Sequence, residues 1–255
     1  MNPLARRLGG WLGAWLSRPV HVHGTSLASR PAALTAVLRP GDVLLVEGNS
    51  RVSVAIKYLT QSTWSHAALC VGNDAVGERG DVSFVEADIV DGVRRVTLAE
   101  FAGLHCRICR PVGLIPGDLQ RVVDYACARI GHRYDLKNVV DLARYLIPTP
   151  PVPTRWRRRM LAFGSGDPTR AICSTLIAQA FQSIGYPILP IVESEPAGQT
   201  DCPDCVREIL RVRHHSLFVP RDFDASPYFA IVKPTLLAGF DYRKLAWAEP
   251  DHASP

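Results

Sequence analysis

At 255 residues, 47% of them apolar and 21% charged, the chain has material for a substantial core and too little polarity for wholesale disorder. A formal charge of +5 suits an anionic surface such as phospholipid, and is too small and too scattered to point to nucleic acid. Seven cysteines, an odd count spread along the chain, do not make a disulfide scaffold and fit a reducing compartment, and no run approaches the roughly 18 apolar residues of a membrane-spanning helix.

In chain order, residues 1–20 are expected to form an amphipathic helix. Leu4, Leu8, Trp11, Leu12, Trp15 and Leu16 share one stripe, with Arg6 and Arg7 beside it. That composition suits a helix lying in a membrane interface. A helix packed on the protein's own body and a short secretory or twin-arginine signal are the competing readings. Gly9, Gly10 and Gly13 lower helix propensity, so the helix should form on binding.

Pro40-Gly41 predicts a turn feeding a buried strand up to Glu47, and residues 52–59 have helical spacing. Short strands are predicted over 66–71, 82–90, 93–96 and 105–112, with Asp91-Gly92 as a hairpin turn. A helix is expected over 118–130 with Asp118 as its cap, and a second over 136–146 ending at Pro148. A proline-rich loop and the basic run Arg155 to Arg159 follow, the latter a solvated face or a phosphate contact. A firm helix spans 172–184, stopped by Gly185. Residues 187–205 are expected to be a long loop, 227–232 a last strand rejoining the early sheet, and 246–255 a disordered tail. The mixture is α+β, with one domain over 36–235.

Three residues stand out together. Cys173 lies early in a helix, His66 opens a strand, and Glu86 lies on the next strand. A thiolate can attack, an imidazole can take and return its proton, and a carboxylate can hold the imidazole in the right tautomer. A helix amino terminus favours thiolate within its first turn. Whether Cys173 falls there depends on whether the helix starts at Pro168, capped by Asp167, or later. Taken singly, each residue has a plainer role: a core cysteine, a structural histidine, a solvent-facing glutamate. Asp88, two residues on and on the same strand face, is the rival carboxylate.

The ordered set resembles the permuted branch of the NlpC-type, papain-like superfamily, in particular the YiiX/YebB-like cysteine hydrolases. The matching residues are Pro40-Gly41-Asp42-Val43-Leu44-Leu45-Val46, Thr63-Trp64-Ser65-His66-Ala67-Ala68-Leu69, Glu86, Tyr134-Asp135-Leu136 and Ile172-Cys173-Ser174-Thr175-Leu176. In that branch the histidine strand precedes the nucleophile helix, as here, and the resemblance spans about residues 38 to 232. It implies a circularly permuted papain-like fold, with a small antiparallel sheet or barrel against helices. It also implies Cys173 as nucleophile, His66 as base and Glu86 as orienting group. Tyr134, Ser65 and Trp64 are the candidate substrate or oxyanion contacts.

The implied activity is hydrolysis or transfer of an amide or ester acyl group through an acyl-enzyme, on a lipid-like or cell-wall-peptide substrate. No cofactor and no metal are expected. The amino-terminal stripe tilts the reading toward lipid and toward a cytoplasmic protein peripheral to the inner membrane, with export as the alternative. Rival readings are a non-catalytic lipid-binding module and a zinc or redox interaction protein. The latter would use Cys106/Cys109 and Cys202/Cys205, with His214 and His215 nearby. Cys106 and Cys109 lie three apart on a predicted strand, which points them to opposite faces.

Overall fold

The computed structural model describes residues 18, 31–73, 81–88, 91–132, 172–196, 206–237, 239–244 and 246. In chain order the described elements are α1 (Pro31–Thr35), β1 (Val43–Glu47), α2 (Arg51–Thr60), β2 (His66–Asn73), β3 (Val82–Asp88), β4 (Gly92–Thr97) and β5 (His105–Pro111). Then come α3 (Pro116–Cys127), α4 (Ile172–Gln182), β6 (Ile191–Pro196), β7 (Val206–Arg211), α5 (Pro220–Ala225), β8 (Phe229–Val232) and α6 (Pro234–Leu237).

Six strands form one antiparallel sheet in the order β4-β3-β2-β1-β5-β8, so the late strand does rejoin the early sheet. Both faces are covered. Leu45, Ala67, Leu69, Val85, Ala87, Val93 and Cys109 meet Val122 and Ala126 of α3 and Leu176, Ile177, Ala180 and Phe181 of α4. Leu44, Val46, Ala68, Cys70, Phe84, Val96 and Ile108 meet Leu34, Leu98 and Phe101 on the other side. Burial on two faces explains why β1 reads as an unbroken apolar run rather than as an alternating strand. Cys106 and Cys109 divide between the two faces, as their spacing requires, and cannot converge on one ion.

A buried carboxylate ties the start of β1 to β5. Asp42 is 1% exposed and takes Arg110 as a two-pronged partner, with Nε to Oδ1 at 2.8 Å and a terminal nitrogen to Oδ2 at 2.7 Å. The backbone N–H of Arg39 also donates to Oδ2, closing the turn before the strand. Gly41 within that turn has φ +85, and a Cβ there would lie 2.4 Å from Leu119 Cδ1 of α3. The Pro-Gly-Asp motif is therefore an anchor of the sheet, whatever else it signals.

Several expectations need correction. Helix α3 starts at Pro116, after Ile115, and not at an Asp118 cap; Asp118 sits in its first turn, where its charge suits the helix dipole. It ends at Cys127, short of residue 130. The long loop expected over 187–205 contains β6, which pairs with β7 as a two-stranded sheet. Within it, Glu193 and Glu195 pair with Arg211 and Arg207 across the ladder. Opposite charges on facing strands are compatible with pairing, and that complementarity is visible only once β7 is recognised. Residues 1–17, 136–146, Arg155 to Arg159, Cys202, Cys205 and 247–255, for which the sequence sets expectations, lie outside the described residues.

Replacing Asp42 with Ala should leave Arg110 without its carboxylate and the Arg39 turn without its acceptor. The expected cost is about 3 kcal/mol, at the low end for a broken buried pair because Arg110 keeps some solvent. Urea unfolding of the variant against the parent measures it, and a change below about 1 kcal/mol would show that the pair does not anchor the sheet.

Candidate active site

The site is built at one end of the sheet. His66 is the first residue of β2 and pairs with Val46, the last but one of β1. Glu86 on β3 pairs with Ala68, which places it on the same face as His66, one diagonal step away. His66 Nε2 and Glu86 Oε2 are 2.7 Å apart. Phe101, with ring centroid 6.3 Å from that of His66, packs beside the imidazole.

Arg94 completes the line from the far side. It stands opposite Glu86 on β4 and donates to Oε1 through Nε at 2.9 Å and a terminal nitrogen at 2.8 Å. Each carboxylate oxygen thus has its own cationic or imidazole partner, which is what a side chain only 4% exposed requires. Arg94 was not singled out from the sequence. The turn signal alone would not find it: a two-residue turn at Asp91-Gly92 pairs 90 with 93 and so 86 with 97, whereas the ladder pairs 88 with 92 and 86 with 94.

Cys173 lies in the first turn of α4 as described, and is buried at 4%. Asp167 and Pro168, on which its distance from the helix start was expected to depend, lie outside the described residues. The thiol is hydrogen-bonded to the His66 side chain and receives a further bond from the Ala67 backbone. With Nε2 committed to Glu86, Nδ1 is the ring nitrogen left to serve the sulfur. The Ser174 hydroxyl lies 3.9 Å from Sγ, and Val219 packs against Cys173.

The electrostatics follow from this line. Burial alone would raise the Cys173 pKa, but the neighbouring His66 charge and hydrogen bond outweigh it, and the thiol titrates below its usual range. Burial would lower that of His66; the Cys173 charge and hydrogen bond, then those of Glu86, push it up to about 10. For Glu86, burial works against ionisation and is overcome by His66 and then Arg94, which hold the carboxyl below its ordinary value. The combined direction is a thiolate–imidazolium pair backed by an ionised carboxylate.

The other buried thiols behave in the opposite way. Burial pushes Cys70 and Cys106 up to about 12, and Cys109 higher still. A thiol enclosed by apolar side chains stays protonated and inert.

The remaining candidates are placed differently. Asp88 accepts from the Asp91 backbone N–H at 2.9 Å and closes the hairpin turn, so Glu86 is the carboxylate bonded to His66. Ser65 accepts from the Gly48 N–H at 2.9 Å and lies 3.4 Å from the Val46 carbonyl. Its hydroxyl is committed to backbone. Trp64 is buried in the helix-side core and donates from its indole to Asp224 at 3.0 Å, under the Arg107 guanidinium. Both residues support the loop that delivers His66, and neither is placed by these bonds as a substrate contact. Tyr134 lies outside the described residues. Among the described residues no group of three or more His, Cys, Asp or Glu side chains is arranged to hold a metal ion.

Comparison with known proteins bears on this geometry. A family model described as permuted papain-like amidase enzyme, YaeF/YiiX, C92 family, matches residues 37–145. The matched segment includes His66, Glu86 and Arg94 and ends before Cys173. No curated protein matches the chain. A solved structure, described as the metalloprotein yiiX from Escherichia coli O157:H7, is similar at 16% identity with a TM-score of 0.44, covering 76% of this chain and 96% of that one. Residues 37–145, which carry the histidine, its carboxylate and most of the sheet that aligns them, are thus similar to the permuted papain-like amidases of the YaeF/YiiX, C92 family.

Proposed function

We propose that this protein is a cysteine-dependent amidase or acyl-transfer enzyme, with Cys173 as nucleophile, His66 as its acid and base and Glu86 as the group that orients and charges the imidazole. The observation that supports it most is the contrast among buried thiols: Cys173 is lowered by an adjacent imidazole, while Cys70, Cys106 and Cys109 are raised by burial.

The thiolate sulfur attacks the carbonyl carbon of an amide or ester. As the tetrahedral adduct collapses, the carbon–nitrogen or carbon–oxygen bond breaks, and the imidazolium gives its proton to the leaving amine or alcohol. The product is a thioester on Cys173 and a neutral His66. Water then gives a proton to His66 while its oxygen attacks the thioester carbon; the sulfur leaves as thiolate, restoring the ion pair. An amine or alcohol in place of water makes the same step an acyl transfer. Glu86 keeps its charge throughout and stabilises the imidazolium.

A lipid-like acyl substrate is favoured over a cell-wall peptide by the amino-terminal sequence. On a helix, Leu4, Leu8, Trp11, Leu12, Trp15 and Leu16 would share one apolar stripe beside Arg6 and Arg7, and the chain carries +5 overall. This would hold the enzyme at the inner face of an anionic membrane, beside substrates that carry acyl chains. The contact proposed is peripheral; among the described residues no helix is long and apolar enough to cross a membrane.

With p-nitrophenyl esters and acyl p-nitroanilides of increasing chain length as probes, Cys173→Ala should lose at least about a thousandfold in turnover while keeping the parent's thermal transition. Glu86→Gln should be less damaging than His66→Ala by roughly 50–100-fold, the gap between a proton-transferring base and the carboxylate behind it. Wild-type turnover by Cys173→Ala would remove the mechanism.

The pH profile has a defined shape. The thiolate is present above the folded Cys173 pKa, which lies below the ordinary 9.0, and the imidazolium is kept until pH rises through about 10. Activity as kcat/KM should therefore rise on an acid limb well under pH 9, hold across neutral pH, and fall near 10. A single rise at ordinary thiol pH with no alkaline fall would show that no ion pair forms.

Removing residues 1–18 should release the protein from anionic vesicles in co-sedimentation and leave turnover of soluble esters within about twofold. Each arginine near the surface contributes about 1 kcal/mol, a share that salt should weaken while the apolar share persists. Aggregation of the truncated protein with loss of its thermal transition would mean that the segment belongs to the core.

A further inference from the structure

We propose that Arg94 is a positioning residue of this site: it holds Glu86 as a permanent carboxylate, so that Glu86 can hold His66 as the protonated partner of Cys173. This rests on the reading of Cys173 and His66 given above and extends it by one residue outward.

The geometry is specific. Glu86 divides its two oxygens between His66 at 2.7 Å and Arg94 at 2.8 and 2.9 Å, and it does so almost fully shielded from water. A carboxylate in that setting faces a choice that burial normally decides in favour of the neutral acid. Were His66 its only partner, a proton could settle on either group. A neutral acid beside a neutral imidazole would then become competitive, and that state gives the thiol no imidazolium to pair with. A guanidinium bound to the second oxygen removes the choice, because it stays charged at any working pH.

Among the described residues, the charged groups that act on Glu86 are His66 from β2 and Arg94 from β4. Asp88 and Asp91 act on Arg94, and Cys173 acts on His66. Asp91 Oδ2 lies 3.3 Å from an Arg94 nitrogen and so holds the guanidinium from its solvent side. The device is thus a line across three neighbouring strands and one helix terminus, with charges alternating from Asp91 through Arg94, Glu86 and His66 to Cys173. Arg94 never touches the reacting atoms and is 36% exposed on an edge strand, where its replacement removes little packing.

Alkylation of Cys173 by iodoacetamide, the thiolate displacing iodide, tests this without knowledge of the substrate. The rate is followed against pH by mass spectrometry of the Cys173 peptide in full-length parent, R94Q, R94K, E86Q and E86Q/R94Q. In the parent the acid limb should lie well below ordinary thiol pH and should move up in His66→Ala. R94Q should raise the limb by about one pH unit, the effect of losing an opposite charge at contact distance, and R94K should return most of it. In the E86Q background, R94Q should add nothing, since Arg94 acts only through that carboxylate.

A parent limb at ordinary thiol pH would overturn the thiolate reading and this proposal with it. A depressed, His66-dependent parent limb that R94Q leaves in place overturns the role of Arg94 alone. Should R94Q not fold, E86Q and E86Q/R94Q, which lack the buried charge, carry the test: superimposable profiles are expected, and a further shift in the double variant overturns the proposal.

Discussion

A carboxylate buried to 4% exposure between an imidazole and a guanidinium is the interaction on which the candidate site depends. An isolated buried charge is too costly to keep, so Glu86 can stay ionised only if its neighbours are fixed within hydrogen-bond reach. The sheet does that fixing. Ala68 opposite Glu86, and Glu86 opposite Arg94, are backbone registers. A one-residue slip in either ladder would turn the carboxylate or its partner to the other face. Burial of the sheet serves the same end at Glu86, whose carboxylate is kept from water while the outer links of the line, Arg94 and Asp91, reach solvent.

The second requirement is that a helix terminus reaches the end of this sheet. Helix α4 is seated by Leu176, Ile177, Ala180 and Phe181 against Leu69, Val85 and Ala87. That apolar contact fixes the helix along its length and leaves its first turn at the end of β2, where His66 begins. The chain order of the two elements is irrelevant to this placement. A histidine strand that precedes the thiol helix produces the same meeting as one that follows it, so permutation leaves the chemistry available.

Much of this was legible in the sequence because it rests on local pattern. The apolar run of β1, the Asp91-Gly92 hairpin and the stripe of α4 each carry their own period or turn signal. So did the division of Cys106 from Cys109, which follows from strand alternation alone. Two kinds of feature escaped. Arg94 needed the true register of the hairpin, in which 88 pairs with 92, because counting outward from a two-residue turn at Asp91-Gly92 sets 86 opposite 97. The β6–β7 ladder needed both strands at once, because neither is apolar enough to announce itself and their match lies in opposite charges. Ser65 and Trp64 illustrate a third case, since adjacency to His66 in sequence suggested a role in substrate contact. Their bonds run to Gly48, Val46 and Asp224, and they support the loop that delivers the histidine.

Burial is often taken as the mark of an inert cysteine, and here it separates nothing. Cys70, Cys106, Cys109 and Cys173 are all buried, yet one is pushed toward thiolate and three away from it. The difference lies in what replaces water. Around Cys70, Cys106 and Cys109 it is chiefly the apolar side chains of the two sheet faces, which offer no stabilisation to a negative sulfur. Around Cys173 it is an imidazole held charged, a backbone N–H from Ala67 and the Ser174 hydroxyl. Fixed donors in a dry site stabilise charge without reorganising, and water could not do so as cheaply at the moment of attack. The enclosed position that silences three thiols is therefore the condition under which the fourth could serve as the proposed nucleophile, provided that His66 stays protonated, and that proviso leads back through Glu86 to its place between β2 and β4.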